Sequence, residues 1–266
     1  MVSKGMPDGA PFRIYLDRRR ELLVTRGDPR PLGRELELHH LASAIEYDAF
    51  TAGLVRRGLY AIALYMLSRP RFETLGWTVN IQEPRRNLFL AGSAGDGTVI
   101  GRAFVENVQP APRNLFYAQT CRSFGDPQTS YVEVEGTDIY RIVEQFCRMS
   151  DQQPVRFFTR SEEDVALASV LPDADPEMLE SIDPDVVFGL PGEKDVKLIG
   201  ERSIRLLCGC DTGRITKILV TLYADEPEEL FRGDEAIEAE CPRCGAKHVV
   251  SRVMFDAALE AGRSGG

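Results

Sequence analysis

Cysteines 208 to 244 decide how the C-terminal part of this chain must fold: Cys208-Gly209-Cys210 is followed, 30 residues later, by Cys241-Pro242-Arg243-Cys244-Gly245. Two close pairs of cysteines joined by a spacer are typical of a four-sulfur, tetrahedral zinc site. The glycine after Cys244 permits the tight backbone turn of a zinc knuckle. The sequence therefore predicts one Zn²⁺ per reduced chain, bound by Cys208, Cys210, Cys241 and Cys244.

The predicted site is structural, because four thiolates leave no open position for a reactive water. His248 is a fifth candidate ligand, but four sulfurs already complete the tetrahedron. Zinc binding contributes ~10–16 kcal/mol to the folding of such modules, and this segment has little apolar content of its own. Oxidants attack thiolates, and each close pair can form a disulfide that no longer holds the metal.

Composition restricts the other possibilities. The chain has 266 residues, is 43% hydrophobic and carries a net charge of −9, which argues against bulk phosphate binding. Cys121 and Cys147 are expected to be buried apolar residues. The longest apolar run, 59–67, is too short to span a membrane, and residues 1–12 lack the apolar region of a secretory signal. We expect a cytoplasmic protein with no membrane partner.

Periodicity predicts an α+β fold. Helical spacing covers residues 34–67, and a second, amphipathic helix covers Asp138 to Met149. Between them and after them, alternating segments separated by glycine or proline turns predict an antiparallel sheet; these segments are 78–81, 87–90, 98–105, 131–134, 155–159 and 165–170. Residues 215–223 fit either a strand or a helix.

Residues 172–203 differ from both flanks, with nine acidic residues, three basic residues and four prolines. Two interpretations fit this composition. One is a solvated linker, and the other is a marginal helical segment that docks weakly through Met178, Leu179, Ile182 and 186–188.

Candidate catalytic groups are few. The chain has three histidines, two of them adjacent, and no pairing of a nucleophile with a base or of two carboxylates stands out. We therefore predict that the protein is not an enzyme and assign no catalytic residue.

The cysteine pattern resembles that of the redox-regulated chaperones of the heat-shock-protein-33 type, whose signature is C-x-C, about thirty residues, then C-x-x-C-G. Asn87-Leu88 with Gly101-Arg102-Ala103 resembles the central sheet of that family, and 138–154 (DIYRIVEQFCRMSDQQP) resembles its helix and following turn. The resemblance implies three regions: an N-terminal substrate-binding and dimerisation domain (12–171) with an antiparallel sheet and packed helices, a short, metastable helical linker (172–205), and a C-terminal zinc domain that acts as a redox switch (206–256).

The resemblance also implies a function. Members are ATP-independent holdases that are inactive when reduced and zinc-bound. Oxidation releases zinc, forms disulfides within the pairs Cys208–Cys210 and Cys241–Cys244, unfolds the linker and favours a homodimer that binds unfolding client proteins under oxidative stress. The linker is shorter here than is usual in the family, so a partly constitutive chaperone is an alternative.

Two rival hypotheses use the same cysteines. The first is a zinc-ribbon protein that binds nucleic acid or a protein partner without a redox switch. Acidic residues are interspersed with the basic ones throughout the C-terminal part, so we do not expect a nucleic-acid partner. The second is an enzyme of unknown type with a structural zinc.

Overall fold

The computed structural model describes residues 9–122, 126–162, 164–172 and 174–264, so most of the segment 1–12 that was inspected for a secretory signal lies outside the described residues. Internal contacts divide the chain into two units. The first unit runs to Leu207, except for 43–45, and the second contains 43–45 and the chain from Cys208 onward.

The first unit is built on a ten-stranded sheet with the order β7-β6-β3-β4-β5-β10-β1-β2-β9-β8. All neighbouring strands are antiparallel except β10 and β5, which form a short parallel pair. The strands are β1 (Ala10–Asp17), β2 (Leu22–Gly27), β3 (Glu73–Gln82), β4 (Arg85–Ser93), β5 (Thr98–Phe104), β6 (Asn114–Arg122), β7 (Gln128–Val134), β8 (Val155–Ser161), β9 (Asp164–Val170) and β10 (Val196–Leu206).

The helices described in this unit are α1 (Arg30–Ala42), α2 (Ala49–Leu67), α3 (Ile139–Phe146), which continues into a π-helical turn (Cys147–Asp151), α4 (Met178–Ser181) and α5 (Pro184–Gly189). The second unit contains α6 (Thr212–Tyr223), α7 (Pro227–Phe231), the hairpin of β11 (Ala236–Glu240) and β12 (Lys247–Ser251), and α8 (Arg252–Ser264). The mixed α+β fold class predicted from the sequence is confirmed. None of the described helices is long and apolar enough to cross a membrane.

The prediction of one helical stretch over 34–67 is wrong, because the structure has two helices there. Asp48 starts α2 as its N-cap: its carboxylate accepts hydrogen bonds from the Thr51 amide at 2.8 Å and from the Thr51 hydroxyl at 2.9 Å. The same carboxylate pairs with Arg86 at 2.6 Å. An N-cap aspartate satisfies amides that an uninterrupted helix would bond internally, so a new helix begins at this point.

Helix α2 is the centre of the first core. It is apolar on almost every side, and 13 of its 19 residues are buried, as expected for a helix covered by sheet and helices. Gly58 lets it approach β4 closely, because a Cβ there would lie 2.9 Å from the Leu90 side chain. Edge-to-face and stacked rings extend this core through Trp77, Phe116 and Phe146, with centroids 5.4 and 4.5 Å apart.

The acidic region adopts more regular structure than a solvated linker. Residues 174–195, here called the acidic segment, include α4 and α5, and β10 follows directly. The segment packs against a second apolar cluster on β1, β2, β8 and β9, where Leu179, Val187 and Phe188 are buried. The structure therefore favours the docked helical interpretation up to Gly189 and differs from both interpretations at 196–206, which form a strand of the sheet.

Arginines on the sheet hold the acidic segment by its backbone. One Nη atom of Arg156 donates to three carbonyl oxygens, those of Leu179 at 2.7 Å and of Glu180 and Ile182 at 3.1 Å. Arg26 donates to the Phe188 carbonyl at 2.6 Å. These carbonyls lie at the ends of α4 and α5, where helical carbonyls lack internal partners, so the arginines satisfy groups that the short helices cannot.

We expect Arg156→Met to loosen the acidic segment from the sheet, because three carbonyl oxygens lose their charged donor. Losing such contacts costs about 1–3 kcal/mol, which would increase the population of the locally opened state by roughly fivefold or more. Hydrogen exchange of the amides in 178–190 measures this. Arg148→Met is the matched control, since the ion pair of Arg148 with Glu180 is exposed on both sides and such pairs contribute little. If the amides of 178–190 exchanged at equal rates in the two variants, the hydrogen bonds of Arg156 would not be what holds the acidic segment on the sheet.

Candidate metal centre

The four predicted cysteines converge on one point. All four Sγ atoms lie within 4.8 Å of one another. Cys208 and Cys241 have their sulfurs 3.7 Å apart, and those of Cys210 and Cys244 are 3.6 Å apart. A tetrahedral site with metal–sulfur bonds of about 2.3 Å has its sulfurs about 3.8 Å apart, whereas a disulfide needs about 2.05 Å. The cysteines are therefore arranged to hold a metal ion, and none of the four is in a disulfide.

The first pair lies on the loop between β10 and α6. Gly209 separates the two cysteines with a φ of +65°, a left-handed conformation that glycine adopts without strain. Asp211 caps α6 by accepting from the Arg214 amide at 2.8 Å. The Arg214 guanidinium then reaches back to the Gly209 carbonyl at 2.6 Å, so the first turn of α6 fixes the loop that carries both sulfurs.

The second pair lies at the turn of the β11–β12 hairpin. The Gly245 amide donates to the Cys241 carbonyl, and the Cys241 amide donates to the Ala246 carbonyl, both at 2.8 Å. Gly245 has a φ of +77°, as the knuckle predicted from C-x-x-C-G requires. Cys241 and Cys244 are almost fully buried, while Cys208 and Cys210 are half-buried. Oxidants therefore have access to the site from the side of the first pair.

Few apolar side chains support this second unit. Among the residues of this unit whose burial the structure describes, those that are buried besides the cysteines are Ile215, Thr216, Phe231, Gly245, Val250 and Phe255. The two phenylalanines meet edge to face at 5.5 Å, and the Arg252 guanidinium covers Phe231. A core of this size does not stabilise a chain of about 60 residues without a further contribution such as a metal.

The close approach of the sulfurs also disfavours negative charge. Hydrogen bonding to Cys244, together with burial, raises the pKa of the Cys208 thiol, and burial raises the pKa of Cys210. In this geometry a cation is what would hold the sulfurs as thiolates. Lys247 pairs with Glu238 across the hairpin at 2.8 Å.

The remaining candidates lie outside the cluster. His248 is not among the four grouped ligands, and its Nδ1 is 3.5 Å from the Thr212 hydroxyl. Cys121 and Cys147 are in the first unit. Cys147 is fully buried, and burial raises its thiol pKa well above the usual range, which makes it unreactive at neutral pH.

Arg214 was not identified from the sequence as a residue that supports the metal site. Its place three residues after an N-cap aspartate was a usable signal.

Comparison with known proteins gives a consistent match. The model of the family described as Hsp33 protein matches residues 59–251. The 33 kDa chaperonin of Serratia proteamaculans is 27% identical over 166 residues, which are 53% of this chain and 56% of that protein. That of Edwardsiella ictaluri is 28% identical over 163 residues, 52% and 55% of the two chains. The chain thus spans about half the length of the relatives it matches.

A solved structure is similar over nearly the whole chain. The crystal structure of the 33 kDa chaperonin (heat shock protein 33 homolog) of Thermotoga maritima superposes with a TM-score of 0.70 at 14% identity, and the match covers 96% of this chain and 99% of that one. At this level of identity the comparison establishes a shared fold.

Replacing Cys244 by serine removes one of four sulfur ligands, and we expect the purified variant to contain no stoichiometric metal. The hairpin should lose protection in hydrogen exchange because the small core of the second unit cannot hold it, while the amides of β3 and β4 keep theirs. Metal analysis by atomic emission measures the first effect. Cys121→Ser is the matched control and should retain one ion per chain. Full metal content in the Cys244 variant would contradict the assignment.

Proposed function

The chain belongs to the Hsp33 family, and we propose that it is a redox-regulated, ATP-independent holdase, switched on by oxidation of Cys208, Cys210, Cys241 and Cys244. Members of this chaperone family bind unfolded proteins. The observation that supports the switch most directly is the cluster of four sulfurs, two of them half-buried, in a unit with a small apolar core.

Zn²⁺ is the ion that this donor set fits in the reduced protein. Four thiolates in a closed tetrahedron suit zinc or iron, and zinc is the metal that serves such sites structurally. Bound zinc supplies folding free energy and no reactive position. The four cysteines would hold it, with Arg214 and the Gly245 turn fixing the geometry of the two loops.

Oxidation would remove this contribution through the sulfurs. Two thiolates of one pair give two electrons to one molecule of hydrogen peroxide. One S–S bond forms, and the O–O bond breaks to give two hydroxide ions. We assign the bonds to Cys208–Cys210 and Cys241–Cys244, as the family resemblance implies. Disulfide sulfurs lie about 2.05 Å apart, which is incompatible with separations that suit four metal bonds, so both pairs stop acting as ligands.

The acidic segment is the part of the first unit that we expect to respond. It continues into β10, which ends at Leu206, two residues before Cys208. The Leu207 amide donates a hydrogen bond to the Val99 carbonyl at 3.0 Å, and the Leu206 amide donates one to the Glu35 carboxylate at 2.5 Å. The loop that carries Cys208 and Cys210 therefore starts from a fixed strand end. Loss of order at Cys208 weakens that anchor. The segment would then expose Leu179, Val187 and Phe188 and the sheet surface beneath them, and exposed apolar surface of this kind binds unfolded chains.

The proposal also covers the oligomeric state, the cellular location and the regions of the protein. We expect a homodimer after oxidation and action in the cytoplasm, with one zinc per chain in the reduced form. The regions would be the substrate-binding and dimerisation domain 12–171, the metastable linker 172–205 and the zinc domain 206–256. The C-terminal cations Arg214, Lys247 and Arg252 face carboxylates, which disfavours a nucleic-acid partner.

Peroxide with mild heat should turn the protein from inactive to a holdase without ATP, because the metal's folding free energy is lost and the segment can then undock. The measurement is light scattering of a thermally unfolding client, with zinc release followed by a chelating dye. The reduced protein is the reference. If zinc is released and neither form suppresses aggregation, the chaperone switch is wrong for this chain.

We expect Cys121→Ala/Cys147→Ala to keep peroxide-induced zinc release at its normal extent, because neither residue belongs to the sulfur cluster and Cys147 is fully buried. The chelating-dye assay reports this directly. A variant that no longer released zinc would identify one of these cysteines as a thiol that resolves an intermediate.

A further inference from the structure

The sheet surface under the acidic segment is apolar in the middle and basic at its border. We call it the segment-binding face. It consists of the apolar residues Leu22, Val24, Phe158, Ala166, Ala168 and Val170, the sheet arginines Arg26, Arg156 and Arg160, and Arg148 from the π-helical turn after α3. Arg26 is already paired with Asp164 of β9 at 2.6 Å, so the positive charge that a bound chain would meet lies on Arg148, Arg156 and Arg160. This combination indicates a preference for a particular kind of chain.

The segment that occupies this face has the matching composition. Residues 174–195 contain seven acidic residues and one basic residue. Arg148 pairs with Glu180 at 3.1 Å and Arg160 with Asp185 at 3.2 Å. The ring of Phe188 contacts two guanidiniums, those of Arg26 at 5.0 Å and Arg160 at 4.9 Å from its centroid. Apolar residues thus enter the middle of the face while carboxylates meet its border.

We propose that the segment-binding face, once uncovered, selects client segments in which apolar residues are flanked by acidic ones, and that the acidic segment occupies it as an internal substitute for such a client. This inference rests on the proposed function. The apolar centre and the bonds from Arg156 to carbonyl oxygens accept any sequence. The arginines at the border discriminate between clients by charge. When the acidic segment undocks, Glu180 and Asp185 leave with it, and the exposed guanidiniums then attract carboxylates of a client and repel its lysines or arginines.

Fluorescence anisotropy with labelled peptides tests this on the full-length, peroxide-oxidised protein. Three peptides share one apolar core and carry glutamate, serine or lysine flanks. We expect the glutamate peptide to bind roughly tenfold or more tighter than the lysine peptide at low ionic strength, with the difference shrinking in 0.5 M salt because exposed charges are screened. Equal affinity for the glutamate and lysine peptides would overturn the proposal.

Two double variants test whether the preference for acidic flanks comes from the arginines of the segment-binding face. Arg148→Gln/Arg160→Gln removes exposed border charges and should abolish most of the difference between glutamate and lysine flanks, with each affinity expressed relative to that of the serine peptide for the same variant. Arg85→Gln/Arg113→Gln removes the same number of charges from β4 and from the residue preceding β6, and should leave the preference intact. Loss of the preference in both variants would assign it to net charge and overturn the proposal.

Client aggregation separates this inference from the proposed function. If the oxidised protein suppresses aggregation but binds no peptide, or binds all three equally, the chaperone function stands and the segment-binding face is not the selective surface. If it neither suppresses aggregation nor binds any peptide after zinc release, both the proposed function and this inference fail.

Discussion

The second unit depends on whether four sulfur atoms can stay within 4.8 Å of one another. Crowded thiols resist ionisation, as the raised pKa of Cys208 indicates, so a cation is needed to make them thiolates and hold them together. The rest of the unit offers mainly Phe231, Phe255, Ile215 and Val250 as a core. Its folding free energy is therefore tied to the chemical state of sulfur, which is the physical reason for our proposal that a structural metal site also acts as a point of control.

The first unit is stabilised in a different way, and not uniformly. Helix α2 lies in a large apolar core that strands of the sheet and neighbouring helices cover. The acidic segment belongs to a smaller cluster and is held partly through its backbone carbonyls. A cleft of about 480 Å³ remains beside α4, lined in part by Arg156 and Leu179. Segments with few buried contacts open at the lowest free energies, so this part of the unit should undock long before the sheet opens.

Local signals in the sequence predicted the parts of the structure that local chemistry determines. The spacing of the cysteines identified the four residues that meet, and Gly245 identified the turn. Alternating segments predicted β3, β4, β5, β7, β8 and β9. The strand β10 was missed because its composition is charged: Arg13 of β1 pairs with Glu201 across the ladder, and a partner 188 residues away leaves no local signal. Arg156 was missed for the same reason, since its acceptors are the carbonyls of a distant segment.

The path from the metal loop to the acidic segment passes along the whole length of β10, and this sets a requirement on the switch. β10 is paired with β1 from Ala10 opposite Ile204 to Asp17 opposite Val196, with a change of register between Ile14 and Tyr15. Freeing the strand end at Leu206 does not break this ladder, because its hydrogen bonds do not depend on the sulfurs. The irregularity near Ile199 is the point at which the pairing is weakest. We therefore expect oxidation to weaken the anchor at the strand end as far as this irregularity, and heat to release the weakly docked acidic segment without opening the rest of the sheet, so that heat and peroxide should act together on this chain.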